Sequence, residues 1–235
     1  MKVLGIITAR GGSKGISKKN IKNLVGKPLI AWTIEEALKA RKLDRVIVST
    51  DSQEIAYIAR GFGAEVPFIR PDHLSQDDSS HVDVLIHAIK WFDTNEPNYQ
   101  FEYFMLLQPT SPLRTNKDID KSIELIQKKN VESVVSICES ITHPYLMKVI
   151  DKGNLVDYTK KPKGYIRRQD FPNVFQLNGA IYLIKTEVFR KEKTLFLSKT
   201  CAYEMGIEQS IDIDTDVDFE YAEFLLNNKY NHKHN

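Results

Sequence analysis

Residues 2–20 have the sequence KVLGIITARGGSKGISKKN, an apolar run that leads directly into a loop of glycines and cations. The apolar run 2–8 is typical of a buried strand. Glycines in the loop let backbone N–H groups approach an anion closely, and cations there can neutralise a polyphosphate. These residues are Gly11, Gly12 and Gly15 with Arg10, Lys14, Lys18 and Lys19. Because α/β sheets bind ligands at the carboxyl ends of their strands, the stretch predicts an α/β fold with a phosphate site after its first strand.

The loop matches neither of the two standard phosphate-binding motifs. It lacks the Gly-x4-Gly-Lys-Ser/Thr pattern of a P-loop, and its glycines do not follow the Gly-x-Gly-x-x-Gly spacing of dinucleotide-binding proteins. The alternative to phosphate binding is therefore that the loop is an ordinary basic turn exposed to solvent. The position of the loop directly after a strand favours ligand binding.

The composition is that of one soluble domain, which we place over residues 1–235. Of the 235 residues, 42% are hydrophobic and 27% are charged, which is ordinary for a globular protein. A net charge of +2 gives no sign of nucleic-acid binding, and no apolar segment is long enough to span a membrane. Cys138 and Cys201 lack metal-ligand spacing and no signal peptide precedes the first strand, so we expect reduced thiols in a cytoplasmic protein.

Strand and helix patterns alternate along the chain. The predicted strands are 2–8, 44–49, 64–68, 102–107, 132–138 and 179–184. The predicted helices are 28–41, 52–61, 80–92, 116–129 and 215–228, with Ser52, Asn116 and Thr215 as N-caps. Such alternation predicts a mostly parallel sheet with helices on both faces.

The alternation stops between residues 139 and 175. This stretch contains Pro144, Pro162 and Pro172 among several aromatic and basic residues, which favours short strands and loops over a βα unit. A solvated surface loop is the alternative, but the stretch carries too many apolar side chains for that. We therefore expect 139–175 to be an inserted arm that contacts another subunit.

Polar residues that could touch a ligand also follow the later strands. Arg70 suits a phosphate and Ser80 suits a base or ribose, although Ser80 is also a natural N-cap for the next helix. Gln108 lies in a loop that two prolines stiffen, and a rigid structural turn is the alternative there. Thr50 and Asp51 end the second predicted strand, where capping of the next helix is favoured over ligand contact.

Near the end of the chain, residues 210–218 have the sequence SIDIDTDVD, in which aspartate alternates with other residues. The alternation puts Asp212 and Asp214 on one face of an extended segment. Two carboxylates opposite a phosphate loop suit Mg²⁺, which takes few carboxylates and completes its coordination with phosphate oxygens. Solvated acidic residues are the alternative interpretation.

Taken in order, these motifs resemble those of the acylneuraminate cytidylyltransferases, also called CMP-sialic acid synthetases. The matching segments are ARGGSKG over 9–15 with Lys19 and Asn20, LQPTSPLR over 107–114, NGAIY over 178–182 and DIDT over 212–215. The resemblance implies a Rossmann-like nucleotide-diphospho-sugar transferase fold. It also implies a transferase reaction in which CTP and a nine-carbon 2-keto sugar acid give the CMP-sugar and pyrophosphate.

The resemblance implies a role for each matching residue. It assigns CTP to Ala9, Arg10, Gly11, Gly12, Ser13, Lys19, Asn20, Arg70 and Ser80. It assigns the sugar acid to Gln108, Arg168 and Tyr182, of which Arg168 can hold a carboxylate through two parallel hydrogen bonds. It gives Mg²⁺, with Mn²⁺ as the alternative, to Asp212 and Asp214, and it makes these two residues catalytic together with Arg10 and Lys19. It further implies a homodimer, or a tetramer, formed through the arm 139–175.

Departures from the family pattern concern mainly the sugar. Ser17 replaces a proline that is common in the loop, and Gln176 stands where some sialic acid enzymes carry an arginine. We expect an acid of the sialic or legionaminic type, with pseudaminic acid and 3-deoxy-manno-octulosonate as alternatives. A non-catalytic nucleotide-binding regulator is the rival from another class, but such a protein would not need the Asp pair beside the phosphate cations.

Overall fold

The structure is a computed structural model that describes residues 1–160, 162, 164 and 167–231. Its strands are β1 (Val3–Thr8), β2 (Asn23–Leu24), β3 (Lys27–Pro28), β4 (Arg45–Ser49), β5 (Tyr103–Leu107), β6 (Ser133–Glu139), β7 (Lys148–Asp151), β8 (Asn154–Asp157), β9 (Phe175–Lys185) and β10 (Thr200–Glu204). Its α-helices are α1 (Leu29–Lys39), α2 (Gln53–Gly61), α3 (His81–Asn95), α4 (Asn116–Lys129), α5 (Thr186–Glu192) and α6 (Asp216–Asn231).

The main sheet of the described chain has the strand order β10-β6-β9-β5-β1-β4. Towards one edge, β1 runs parallel to both β4 and β5, and towards the other edge β10 runs parallel to β6. Between these two groups lies β9, which is antiparallel to both β5 and β6. The prediction of a mostly parallel sheet is therefore confirmed.

Helices cover both faces of the sheet, as the alternate side chains of β1 show. Val3 and Ile7 belong to a core shared with α1, α2 and α4, whereas Leu4 and Ile6 belong to a second core shared with α3 and α5. All four side chains are fully buried. This alternation is the period of two expected for a strand that is covered on both faces. A third cluster packs α6 against α1.

All five predicted helices are present, and their ends differ from the prediction by at most three residues. Ser52 caps α2, because its hydroxyl accepts the N–H of Ile55 at 3.3 Å. The predicted cap Asn116 is wrong by one residue, since Thr115 and Asp118 exchange hydrogen bonds across the first turn of α4. Within the described residues, no helix combines the length and the apolar character that crossing a bilayer demands.

The predicted strand 64–68 is wrong. Isolated bridges at Glu65 and Ile69 join this segment to β4 and to the residue after it. Pro67 lies between the two bridges and lacks the N–H that a continuous ladder would need. The elements α5 and β10 are additions to the prediction. Both are short, and β10 is an edge strand in which no residue is fully buried, so neither has a strong periodic pattern.

The arm contains an antiparallel hairpin of β7 and β8, in agreement with the short strands predicted there. Ile150 pairs with Leu155 in this hairpin, and every residue of its two strands is exposed. Tyr165 and Ile166, which add to the apolar character of the arm, lie outside the described residues. Arg168 lies in a short helical turn, and its side chain is also outside the described part. Contact of the arm with another subunit stays a prediction.

A fully buried arginine joins the sheet to α1 beside the carboxyl ends of the strands. The guanidinium of Arg114 donates from Nη1 to the carbonyl oxygens of Ala180 (2.7 Å) and Gln108 (3.2 Å), and from Nη2 to Oγ1 of Thr33 (2.8 Å). Desolvation lowers the pKa of Arg114 to about 10, an effect that the charge of Asp118 opposes. The side chain therefore stays charged at neutral pH and supplies donors to three acceptors in the interior.

Replacement of this arginine should destabilise the fold. We expect Arg114→Met to lower the free energy of unfolding by about 3 kcal/mol, because it leaves buried acceptors without donors. Denaturant unfolding followed by circular dichroism measures the change. Arg190→Met is the matched control, since Arg190 pairs with Asp93 on the surface at 2.7 Å, where an exposed pair contributes about 1 kcal/mol or less. Equal losses in the two variants would contradict the structural role of Arg114.

Candidate active site

A cleft of about 460 Å³ opens at the carboxyl ends of β1 and β5, where the sequence predicts a ligand site. Thr8, the last residue of β1, and Gln108, the residue after β5, both line it. The lining includes eight of the predicted site residues, namely Arg10, Ser13, Lys19, Asn20, Arg70, Gln108, Asp212 and Asp214. The fold thus brings the basic loop, the Gln108 loop and the Asp pair to one edge of the sheet.

Hydrogen bonds within the protein fix the shape of the basic loop 9–20. The N–H of Gly11 donates to Oδ1 of Asp51 (3.0 Å), and Nδ2 of Asn20 donates to the carbonyl oxygen of Arg10 (3.0 Å). The role favoured for Asp51 in the sequence, capping of the next helix, is wrong, because Ser52 takes that position. Asp51 instead supports the loop from the neighbouring strand.

Lys19 joins the basic loop to the acidic segment from the other end of the chain. Its Nζ donates to the carbonyl oxygen of Ile213 (2.6 Å) and to Oδ1 of Asp214 (3.0 Å). Gly15 lies so close to the same segment that a Cβ atom there would be 2.4 Å from the carbonyl oxygen of Asp214. The two segments therefore pack backbone against backbone, and Lys19 forms an ion pair with one member of the Asp pair.

A carboxylate from a third segment contacts the cations of the loop. Nη1 of Arg10 lies 2.6 Å from Oδ1 of Asp77, and Nζ of Lys14 lies 2.9 Å from Oδ2 of the same residue. All three residues line the cleft. The hydrogen bonds from Lys14 and Arg10 lower the pKa of Asp77, so its carboxylate is ionised at neutral pH.

Arg70 lies buried at the side of the cleft, and His81 lies near it. Nε of Arg70 donates to Oγ of Ser75 (2.9 Å), and its Nη2 lies 3.6 Å from Oδ1 of Asp51. Burial lowers the pKa of Arg70, an effect that the charge of Asp51 opposes. His81 is exposed to the cleft, yet the protein around its ring desolvates it, and with the charges of Arg70 and Arg10 this lowers the pKa of His81. His81 is therefore neutral at physiological pH.

Asp212 and Asp214 have different surroundings. Asp214 is exposed, whereas Asp212 is half-buried and its Oδ1 has no hydrogen-bond partner within the described chain. Burial raises the pKa of Asp212 against a hydrogen bond from Thr110, and the charge of Asp214 raises it further. A carboxylate oxygen that is buried, unpaired and close to a second carboxylate is in an environment that a bound cation would stabilise.

The carboxylates of the cleft fit a hard divalent cation such as Mg²⁺. Across residues 1–160, 162, 164 and 167–231, no group of three or more histidine, cysteine or acidic side chains could by itself hold a metal. Mg²⁺ does not require such a group, because it binds one or two carboxylates and fills its other positions with water and substrate phosphates. Asp212 and Asp214 are the residues that would hold it here.

The segment that contains Gly179 sets the position of Gln108. Gly179 has a φ of +70°, and a Cβ atom there would lie 2.7 Å from Oε1 of Gln108 and 3.2 Å from Oδ2 of Asp212. The neighbouring Asn178 is buried, and its Nδ2 donates to Oγ of Ser210 at 2.9 Å. The backbone of β9 can therefore approach both side chains closely, which any residue other than glycine would prevent.

Five predicted site residues do not line the cleft, and they are Ala9, Gly11, Gly12, Ser80 and Tyr182. Ala9 is buried, and its N–H donates to the carbonyl oxygen of Ser49 at 3.0 Å. The hydroxyl of Ser80 accepts the N–H of Val82 at 3.1 Å and so caps α3. Tyr182 belongs to the core on the α3 face of the sheet, and burial raises its pKa. Their contact with a ligand stays a prediction.

Several polar residues that line the cleft were not among the predicted site residues, and they include Gln76, Asp77, Ser79, His81 and Thr110. Each lies in, or directly after, a loop that already contains a predicted site residue. Their position after a predicted strand is therefore the sequence signal that could have indicated them as site residues. The signal does not separate them from the neighbouring residues that were predicted, namely Arg70, Ser80 and Gln108.

The fold and the charges of this cleft define a nucleotide-binding α/β protein of the nucleotidyltransferase type. A glycine-rich basic loop follows the first strand, and two carboxylates face it from the far end of the chain. Comparison with known families agrees, since the sequence model described as cytidylyltransferase matches residues 4–234. The chain belongs to the cytidylyltransferase family.

Several named relatives are similar to the chain over most of its length. It is 39% identical over 222 residues to an N-acylneuraminate cytidylyltransferase of Streptococcus agalactiae, a match that covers 93% of the chain and 52% of the relative. It is 36% identical over 231 residues to the CMP-N,N'-diacetyllegionaminic acid synthase of Legionella pneumophila, which covers 96% of the chain and 97% of the relative. The chain therefore spans about half the length of the N-acylneuraminate cytidylyltransferases and nearly all of the legionaminic acid enzyme.

Solved structures confirm the Rossmann-like fold. The chain superimposes with a TM-score of 0.73 on a CMP:2-keto-3-deoxy-manno-octonic acid synthetase complexed with CTP, at 18% identity over 97% of this chain and 100% of that one. It superimposes with a TM-score of 0.65 on the 4-diphosphocytidyl-2C-methyl-D-erythritol synthase of Anaerococcus prevotii, at 14% identity over 96% and 98% of the two chains. At these identities the likeness concerns the fold alone.

The close packing at Gly15 yields a test of the cleft. We expect Gly15→Ala to weaken CTP binding about tenfold or more, because the added methyl group forces the loop away from the backbone of Asp214. Isothermal titration of CTP in the presence of Mg²⁺ measures the affinity. Gly61→Ala at the end of α2 is the control, since no atom outside its chain neighbours and its own helix backbone lies within 4 Å of the added Cβ. An unchanged affinity in a correctly folded Gly15→Ala variant would contradict this packing as a requirement for the site.

Proposed function

We propose that the chain transfers CMP from CTP to the anomeric 2-hydroxyl of a nine-carbon 2-keto sugar acid and releases pyrophosphate. The observation that carries the proposal is the convergence of the basic loop and the Asp pair on one cleft in a member of the cytidylyltransferase family. The name of a relative that the chain matches over 97% of that relative's length, a CMP-N,N'-diacetyllegionaminic acid synthase, supports an acid of the legionaminic or sialic type.

The cations of the cleft bind the triphosphate and stabilise the leaving group. Arg10 and Lys19 lie on the loop after β1 and neutralise charge that develops on pyrophosphate as the sugar hydroxyl attacks the α-phosphorus in line. Asn20, which fixes the carbonyl group of Arg10, keeps the loop in shape, while Arg70 and Ser80 hold the nucleotide from the second side. Most of the acceleration comes from positioning and electrostatics, because phosphoryl-type transfers need little covalent help from the protein.

Asp212 and Asp214 hold Mg²⁺, for which Mn²⁺ can substitute. The bound cation supplies charge neutralisation to the phosphates. The unpaired Oδ1 of Asp212 supports this role, as does Lys19, whose ammonium contacts Asp214 at 3.0 Å and keeps that carboxylate beside the loop. The sugar acid contacts Gln108 at the cleft wall, with Arg168 as the partner of its carboxylate and Tyr182 behind it.

We also propose a cytoplasmic homodimer. The arm over 139–175 carries apolar side chains that are largely exposed in the single chain, among them Ile150 at 79%, Leu155 at 72% and Tyr158 at 65%. A second subunit would bury such residues, which monomeric proteins rarely expose together. The unpaired state of Cys138 and Cys201 is in keeping with a reducing compartment.

Pyrophosphate release from CTP tests the reaction directly. The assay uses purified protein, Mg²⁺ and one of four acids: N-acetylneuraminic, N,N'-diacetyllegionaminic, pseudaminic or 3-deoxy-manno-octulosonic acid. We expect release with the legionaminic or the neuraminic acid, and loss of release when EDTA removes the metal. Release without any acid would indicate hydrolysis of CTP instead of transfer. No release with any acid by protein that binds CTP would contradict the proposed reaction.

The Asp pair should matter far more for turnover than for stability. We expect Asp212→Asn and Asp214→Asn each to lower turnover about 100-fold, because an amide is a poor ligand for Mg²⁺, with little change in the melting temperature. Asp216→Asn is the matched control, since Asp216 forms a surface pair with Lys22 at 2.9 Å outside the cleft. Near-normal turnover in both cleft variants would contradict the metal assignment.

A further inference from the structure

Asp77 is a negatively charged group in a cleft otherwise suited to a polyanion. Its two carboxylate oxygens bind two different cations, Arg10 at 2.6 Å and Lys14 at 2.9 Å. These cations lie on the loop after β1, where phosphate oxygens would have to bind. A carboxylate that uses both oxygens in this way resembles a phosphate group in charge and in the directions of its acceptors.

The segment that carries Asp77 is organised by its own hydrogen bonds. The N–H of Gln76 donates to Oγ of Ser79 (2.8 Å), Nε2 of Gln76 donates to the carbonyl oxygen of Asp72 (2.9 Å), and Oγ of Ser79 donates to that of His73 (3.4 Å). These bonds all lie within residues 72–79. The turn therefore keeps its shape when the ion pairs of Asp77 with the loop are broken.

The ion pairs of Asp77 are also of the kind that a ligand can replace. The side chains of Arg10, Lys14 and Asp77 are 31%, 76% and 46% exposed, so water can solvate each of them after separation. Exposed ion pairs contribute little free energy. A triphosphate carries several negative charges and can bind the same cations more strongly than one carboxylate does.

We propose that Asp77 is an internal competitor of the triphosphate. The carboxylate of Asp77 pairs with Arg10 and Lys14 until the nucleotide displaces it, and it pairs with them again when pyrophosphate leaves. The proposal rests on the proposed function only in requiring that the cleft bind a polyphosphate. Since a ligand must break the pairs of Asp77 before it binds, the measured affinity is lower than that of the same cations without a competitor.

Titration of inorganic pyrophosphate into the full chain tests this competition without any sugar. We expect Asp77→Asn to bind pyrophosphate about three- to tenfold more tightly than the wild type, as expected from the loss of two exposed ion pairs. Asp78→Asn is the matched control, because it removes the same charge from the adjacent exposed residue and so reproduces the general change in field. Asp77→Glu, which retains a carboxylate, should bind nearly as weakly as the wild type.

The sign of the change distinguishes competition from support. If Asp77 merely positions Arg10, Asp77→Asn will bind pyrophosphate more weakly, and this result would overturn the proposal. Equal affinities of Asp77→Asn and Asp78→Asn would overturn it as well. If either of these results is obtained and the wild type still binds pyrophosphate, only the competition is contradicted, and the assignment of a polyphosphate site is not. Failure of the wild type and of both variants to bind pyrophosphate would overturn the competitor together with the phosphate site. Melting temperatures close to that of the wild type establish that the variants are folded.

Discussion

The ligand edge of the sheet depends on the buried guanidinium of Arg114. It binds the main chain at the end of β5, the main chain of β9 and a side chain of α1, three elements that meet at this edge. Burial of a cation is costly, but loss of Arg114 would remove its buried hydrogen bonds to the carbonyl oxygen of Ala180 and to Oγ1 of Thr33. The loop that carries Gln108 is therefore held in place before a ligand binds. It gives the cleft one rigid wall, which faces the basic loop 9–20.

Within the cleft, carboxylates of the protein itself balance the charges of the cations. Arg10 and Lys14 pair with Asp77, and Lys19 pairs with Asp214, while Asp51 lies near Arg70. A cluster of cations without such partners would repel itself and weaken the fold. If Asp77 competes with the triphosphate as proposed, substrate binding exchanges one set of ion pairs for another, and selectivity depends on the difference between the two sets.

The sequence was sufficient for the parts of the structure that depend on local pattern. The buried strands, the five long helices and the position of the basic loop follow from periodicity and from glycine content, and the family follows from the order of the motifs. Elements without a repeating pattern were missed, as with α5 and β10, and Pro67 interrupted a strand that its apolar neighbours suggested. The contacts of Asp51 and Asp77 were beyond sequence reasoning, because they depend on how three separate loops approach one another.

The contact between Lys19 and Ile213 joins residues 194 positions apart in the chain, and this separation has a consequence for the order of assembly. Closing so long a loop is entropically unfavourable until most of the intervening chain has folded. During synthesis on the ribosome, the basic loop leaves the exit tunnel early, whereas the acidic segment, 194 positions further along the chain, emerges much later. A nascent chain can thus form its first parallel strands long before both sides of the cleft have been synthesised. The complete cleft can form only after translation has passed residue 214.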